Sequence, residues 1–397
     1  MGILIRKQEG FPVFTGIARL ALIAFIVSFG FAFINTIWAL YLDSFVDSMV
    51  FVGLISAALT LISFLSYFLF IPIIEKSNKA KLYSYSLLAF SIAYILFAIN
   101  TKFYFFIILA FFITIIQTFR VTSFGIIVRD KSSKRQLSRN EGFMYTFMNV
   151  AWVLGPLIAG FISKKYGFNL VFILSAIFIF LAFLLFKISK INDTNIKKKI
   201  DGNIIKNFID FFREKNRVLA YILSGGVDFW WSFVYLFMPL FIIRQGLGIE
   251  WVGYFLFAVA FPLILFQYKF SKLTGKIGFK KFFKIGYFIP FILVFFCFFI
   301  GNVFIILGLF ILSSIGLAML ESTTEAYFLD ILKKDEECRF YGPYNTTINV
   351  NGFFGKSFPA LILIFLPFKF IFLFLSFFMF AMFLISFKIK EVIENKG

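Results

Sequence analysis

Apolar stretches of eighteen or more residues, separated by short polar or basic segments, recur along the whole chain. Each is long enough to cross about 30 Å of hydrocarbon as a helix. The pattern predicts twelve spans, at 17–42, 49–74, 82–100, 103–128, 143–163, 168–188, 218–243, 251–270, 282–300, 303–330, 343–366 and 368–387. The longest polar interruption, 189–217, separates six spans from six. This predicts an N-terminal bundle over 1–188, a cytoplasmic linker over 189–217 and a C-terminal bundle over 218–397. Within the linker, Ile204, Ile205, Phe208, Ile209 and Phe212 share one face of a short helix. Such a face suits an interfacial helix on the membrane surface, and a plain linker is the other reading.

Composition agrees, with 61% hydrophobic residues and a mean hydropathy of +0.94, values that exclude a soluble globular protein. The net charge of +19 changes the picture only through its placement. The N-terminus, the even-to-odd loops and the C-terminus hold thirty-two of the thirty-nine Lys and Arg residues. The opposite loops hold only Lys102, Lys164, Lys165, Arg244 and Lys369. That bias predicts a multi-pass protein of the cell membrane with both termini cytoplasmic, and no nucleic-acid partner is needed to explain the charge. The first span is too long for a signal-peptide core and reads as retained.

The chain repeats itself at an offset of two hundred residues. Gly142, Thr146, Asn149, Val150 and Gly155 recur as Gly342, Thr346, Asn349, Val350 and Gly355. Val52-Gly53 matches Val252-Gly253, Lys76 matches Lys276, Asp130 matches Asp330, and Arg139 matches Arg339. Because each unit holds an even number of spans, the two copies run in the same direction through the membrane.

These features resemble the major facilitator superfamily over nearly the full chain. The loop after the second helix reads IPIIEKSNKAK, where the family favours G-x-x-x-D-R-x-G-R-K. Glu75 and Lys76 stand in the acidic and basic places, and Ile71 replaces the usual glycine. The second copy, SKLTGKIGFKK, keeps Lys276 and Gly278 but has Gly275 where the acid belongs. Asp130 and Asp330 close the fourth and tenth helices, with Arg139 and Arg339 nine residues on. Gly155-Pro156-x-x-Ala-Gly160 resembles the fifth-helix motif of members that exchange protons for exported drugs. Pro156 predicts a kink, and Gly155 and Gly160 predict close helix contact. The resemblance implies an all-α membrane fold of twelve transmembrane helices in two parallel-repeat six-helix bundles. It also implies a central cavity lined by the first, fourth, seventh and tenth helices.

Charges inside spans are expensive and are functional suspects. At about 1.5 Å per residue, Arg120, Asp228 and Glu321 lie roughly 15 Å from the cytoplasmic ends of their helices. Glu325 is one turn nearer the cytoplasm than Glu321. Asp228, Glu321 and Glu325 are therefore candidate proton or cation sites. Asn35, Trp38, Gln117, Arg120, Asn149, Trp231, Tyr235, Asn349 and Lys356 are candidate substrate-cavity residues, lying on polar or aromatic stripes of their helices. Arg120 and Lys356 have a second reading, in which they neutralise carboxylates across the bundle interface. Arg120 also departs from the usual fourth-helix arginine of the drug antiporters, whose role is not carried over. The chain has no histidine, no GxxxxGK[ST] phosphate loop and no nucleophile motif, so neither a cofactor, a metal centre nor an enzyme is expected.

Three acids against two bases, with Trp and Tyr faces nearby, favour proton-coupled efflux of lipophilic or cationic small molecules by a monomer. Proton-coupled uptake of an organic anion or sugar is the alternative, with Arg120 or Lys356 holding the solute.

Overall fold

The computed structural model describes residues 16–131, 137–191, 204–321, 323–333 and 336–391, and these residues contain no strand. The first half of the chain is built from α1 (Gly16–Val46), α2 (Met49–Lys76), α3 (Lys79–Ile99), α4 (Phe103–Lys131) and α5 (Leu137–Ile188). A short α6 (Ile204–Arg213) leads to α7 (Lys215–Arg244), α8 (Ile249–Ile277) and α9 (Phe279–Cys297). The rest comprises α10 (Val303–Glu321), α11 (Thr324–Asp330), α12 (Glu337–Asn345), α13 (Thr347–Phe365) and α14 (Lys369–Ser386).

Ten of these segments are long and apolar enough to cross a membrane. One of them, the 52-residue α5, is two predicted spans joined at Gly167, whose φ of 77° turns the chain back. That φ lies in the left-handed region, which glycine enters without a Cβ clash. Together with α9, whose Lys280, Lys281 and Lys284 lower its hydropathy, this completes the twelve-span fold. Apolar side chains such as Leu69, Tyr268 and Phe365 face outward, as lipid contact requires.

Two predicted spans are not continuous. The tenth is interrupted between Glu321 and Thr324, giving α10 and α11, and the eleventh is interrupted at Thr346, between α12 and α13. Neither break coincides with a proline. At the first, the Thr323 hydroxyl donates to the Met319 carbonyl, and at the second the Thr346 hydroxyl donates to the Pro343 carbonyl. At the first break the hydroxyl takes up a carbonyl that the interrupted ladder leaves, and at the second it shares the Pro343 carbonyl with the Thr346 N–H.

Helix α6 lies inside the predicted linker, and the side chains of Ile204 and Ile205 on its predicted apolar face lie outside the described residues. Its fully buried residue is Phe211, packed among Tyr221, Phe328 and Phe340, whereas Ile209 and Phe212 of the predicted apolar face stay exposed. Polar bonds fix this orientation. Arg339 donates to Asn207 Oδ1 at 2.8 Å and pairs with Asp210, while Arg217 donates to the carbonyls of Asp210 and Phe211 at the end of α6. Phe208 reaches α2 at Phe68, with ring centroids 5.3 Å apart.

The repeat is visible in packing. A Cβ on Gly160 would lie 2.9 Å from the Gly253 Cα, and one on Gly53 would lie 2.5 Å from the Ala360 Cβ. These are the two long seams between the halves, α5 on α8 and α2 on α13, and their residues are related by the offset of two hundred. Small residues at both let the backbones approach. The same relation holds inside each half, where Gly155 abuts Ala32 and Gly355 abuts Ser232. Likewise Ser91 donates to the Ala176 carbonyl and Ser376 to the Phe291 carbonyl, each at 3.0 Å.

Candidate functional site

A cavity of about 720 Å³ lies between the halves. It is sealed at the face opposite α6, which bears the α1–α2 and α7–α8 turns. There Arg244 sits between Asp43 and Asp47, at 3.0 and 2.7 Å, and Lys164 pairs with Glu250 at 2.7 Å. All three pairs join one half to the other, and α1 packs against α7 beneath them. At the α6 face the pairs of Arg217 with Glu336 and of Arg339 with Asp210 stay within α6 and the second half. The cavity opens toward that face, where Glu321 and Glu325 are exposed.

Helix periodicity brings the candidate residues to this space. Asn35 and Trp38 of α1, Gln117 and Arg120 of α4, and Asn149 of α5 line it from the first half. Trp231 and Tyr235 of α7, Glu321 of α10, and Asn349 and Lys356 of α13 line it from the second. All nine predicted cavity residues therefore meet, along with one of the three predicted acids. Asp228 and Glu325 stand outside the lining.

The two bases have no carboxylate partner among the described residues. Arg120 donates through Nε to Gln117 Oε1 at 3.0 Å, and its guanidinium lies 4.3 Å from the centroid of the Phe31 ring. Lys356 reaches across the interface and donates to Thr60 Oγ1 at 2.7 Å. Neutralisation of carboxylates, the second reading of these residues, is thus not what the geometry provides. Uncompensated charge in a low-dielectric setting is costly, so such groups attract anions strongly.

Across the cavity, Glu321 Oε2 accepts from Trp231 Nε1 at 3.0 Å. The Trp231 ring is 5.7 Å from that of Tyr235, and Tyr235 meets Trp152 of the other half edge-on at 6.2 Å. Glu325 Oε1 accepts from the Tyr341 hydroxyl at 2.7 Å, nearer the open face. The Asp228 carboxylate faces the Thr347 hydroxyl, and its Oδ2 is sealed from solvent with no hydrogen-bond partner.

Sequence reasoning missed Thr60, Phe31 and Tyr341, the immediate partners of Lys356, Arg120 and Glu325. A hydroxyl in the apolar second span was the available signal for Thr60. Phe31 carries none in a chain with sixty-seven phenylalanines.

The predicted gating residues scatter along both faces. Gly155 and Gly160 make the contacts already described, and Pro156 sits inside α5 with its carbonyl against Gly253. Gly278, with φ 92°, turns α8 into α9, and its repeat mate Asn78 instead caps α3 by accepting from the Lys81 N–H at 2.8 Å. Lys76 and Lys276 lie in the last turns of α2 and α8, and Asp130 and Asp330 lie at the ends of α4 and α11. Arg339 binds α6. The side chains of Glu75 and Arg139 lie outside the described residues.

Comparison with known proteins agrees with this architecture. The sequence profile of the Major Facilitator Superfamily matches residues 20–303 and 252–396. An uncharacterized MFS-type transporter of Methanocaldococcus jannaschii is 24% identical over 231 residues, which cover 57% of this chain. The chain spans about half (53%) of that relative's length. Among solved structures, a bacterial homolog of the human lysosomal transporter Spinster, inward-facing and unoccupied, superimposes with a TM-score of 0.75 at 12% identity. That match covers 93% of this chain and 96% of the other. A POT family transporter in complex with a thioalcohol conjugated peptide gives a TM-score of 0.78 at 13% identity, covering 94% and 95%.

Proposed function

The chain belongs to the major facilitator superfamily, and on that premise we propose that this membrane transporter carries a small anionic or zwitterionic organic solute by alternating access. One observation supports the choice of solute. Arg120 and Lys356 both line the cavity without a carboxylate partner among the described residues, and Glu321 is the one acid that lines it. The expectation from sequence counted three acids against two bases. Removing Asp228 and Glu325 from the lining reverses that balance, and with it the preference for a cationic drug.

In this reading a carboxylate or phosphate of the solute binds Arg120 or Lys356, displacing the weaker neutral contacts to Gln117 and Thr60. A solute amine, where present, meets Glu321 and the faces of Trp231 and Tyr235. Glu321 is the coupling acid, exchanging a proton with whichever side the cavity faces. With the α6 face taken as cytoplasmic from its basic loops, the closed pairs at Asp43, Asp47, Arg244, Lys164 and Glu250 form the outer gate. Rocking about the Gly160–Gly253 and Gly53–Ala360 seams then opens it.

Efflux of a lipophilic cation is the second reading, supported by Glu321 beside the Trp152, Trp231 and Tyr235 rings. Thermal unfolding of the purified protein against carboxylates, amino acids, sugars and lipophilic cations separates the two. The proposal expects stabilisation by a carboxylate-bearing solute, lost in Arg120→Gln or Lys356→Gln. Stabilisation only by lipophilic cations, lost in Glu321→Gln, would overturn it.

A further inference from the structure

The most unusual polar group outside the cavity is Asp228. Its side chain is half-buried, and Oδ2 has neither solvent nor a hydrogen-bond partner. No Lys or Arg pairs with it among the described residues, and the nearest charged group acting on it is a second carboxylate, Glu321. A buried carboxylate in this state must take up either a proton or a metal cation, because its own charge is too costly alone.

The surroundings supply hard oxygen donors. The buried Thr347 hydroxyl faces the carboxylate. Asn351 donates through Nδ2 to the Thr347 carbonyl and hydroxyl, at 3.1 and 3.0 Å, which leaves its own amide oxygen unused. That amide lies directly against Gly225, one turn before Asp228, where a Cβ would strike it. Thr347 is also the first residue of α13, immediately after the break at Thr346. Interrupted membrane helices with side-chain and main-chain oxygens at the break are a recurring frame for dehydrated cations.

We propose that Asp228, Thr347 and Asn351, gathered where α7 meets the break between α12 and α13, bind a small monovalent cation of the sodium type. One carboxylate balances one positive charge, and oxygen donors without nitrogen or sulfur select a hard ion. The site lies outside the solute cavity but in the same half as Glu321, so a bound cation relieves the repulsion between the two acids. The inference extends the transport reading by naming a second coupling ion, and its test needs no solute.

The test is thermal unfolding at constant pH and ionic strength as sodium chloride replaces choline chloride, without solute. Saturable stabilisation by sodium, weaker with potassium and flat in Asp228→Asn and Thr347→Val, is expected. Identical midpoints in sodium and choline for the wild-type protein would overturn the proposal and assign Asp228 to a proton instead. Should Asp228→Asn fail to fold, equilibrium binding of radioactive sodium to the wild-type protein and to Thr347→Val decides. Saturable binding lost in the variant supports the site, and no saturable binding refutes it. None of these outcomes bears on whether an anionic solute binds Arg120 and Lys356.

Discussion

The two halves of this protein share a packing frame and differ in their charges. Positions related by two hundred residues perform the same contacts: Gly53 and Gly253 at the seams, Gly155 and Gly355 inside the bundles, and the bond between positions 91 and 176, repeated between 291 and 376 with donor and acceptor exchanged. Where the chemistry lies, the same relation fails. Ser28 corresponds to Asp228, Arg120 to Leu320, Val121 to Glu321 and Pro156 to Lys356. The helices differ in step with this. Helix α4 runs unbroken past Val121, and α5 past Thr146, while their counterparts in the second half break at Glu321–Thr324 and at Thr346. Duplication thus accounts for the scaffold, and the departures from it carry the charged groups of the cavity and the enclosed carboxylate of α7.

The largest effect is expected from forcing the shared frame apart. A Cβ on Gly253 would lie 2.6 Å from the Pro156 carbonyl, a backbone atom that cannot rotate away. Gly253→Val should lower stability by at least about 1–3 kcal/mol, read as a drop in unfolding midpoint. Gly53→Val, against the Ala360 Cβ, tests whether the second seam is equally tight.

Next comes a departure that opposes stability to function. Lys356→Met removes a partly enclosed charge with no carboxylate partner, so the unfolding midpoint should rise while solute affinity falls tenfold or more, about 1.4 kcal/mol. Unchanged affinity in that variant would return Lys356 to the scaffold.

A subtler change is Trp231→Phe, which keeps the ring and deletes the donor to Glu321 at 3.0 Å. A hydrogen bond to a charged group contributes about 1.5–3 kcal/mol, and its loss should appear in the pH dependence of transport more than in stability.

The smallest effect belongs to the linker. Burial acts to raise the Glu214 pKa, but the Arg217 and Asn216 backbone N–H groups outweigh it and hold the pKa below the usual range. A depressed carboxylate pKa stabilises the fold above the unfolded value, about 4.3, and that contribution fades as pH falls through the folded value. Proteolysis between α6 and α7 should therefore quicken in acid, and Glu214→Gln should remove the dependence.

Much of this architecture was legible in the sequence because a membrane reduces the problem to apolar length and charge placement. The offset of two hundred then carried the pairing of the halves. The nine cavity residues were found because polar groups on apolar helices have few places to go. Side-chain direction is harder to read, and of the three acids that the sequence grouped, Asp228, Glu321 and Glu325, only Glu321 lines the cavity. The helix breaks were missed for a related reason: Thr323 and Thr346 look like ordinary helix residues until their hydroxyls are seen taking main-chain carbonyls. The polar side of α6 was not legible, because Arg339, far along the chain, donates to its Asn207.

The account rests on the claim that the charged departures, not the shared frame, hold the solute. The most direct measurement is the solute-binding isotherm of Arg120→Leu, which gives the fourth span the residue its repeat mate Leu320 carries. The account predicts a folded protein, with an unfolding midpoint at least that of wild type, that no longer binds the carboxylate-bearing solute. Binding at wild-type affinity in that variant would contradict it.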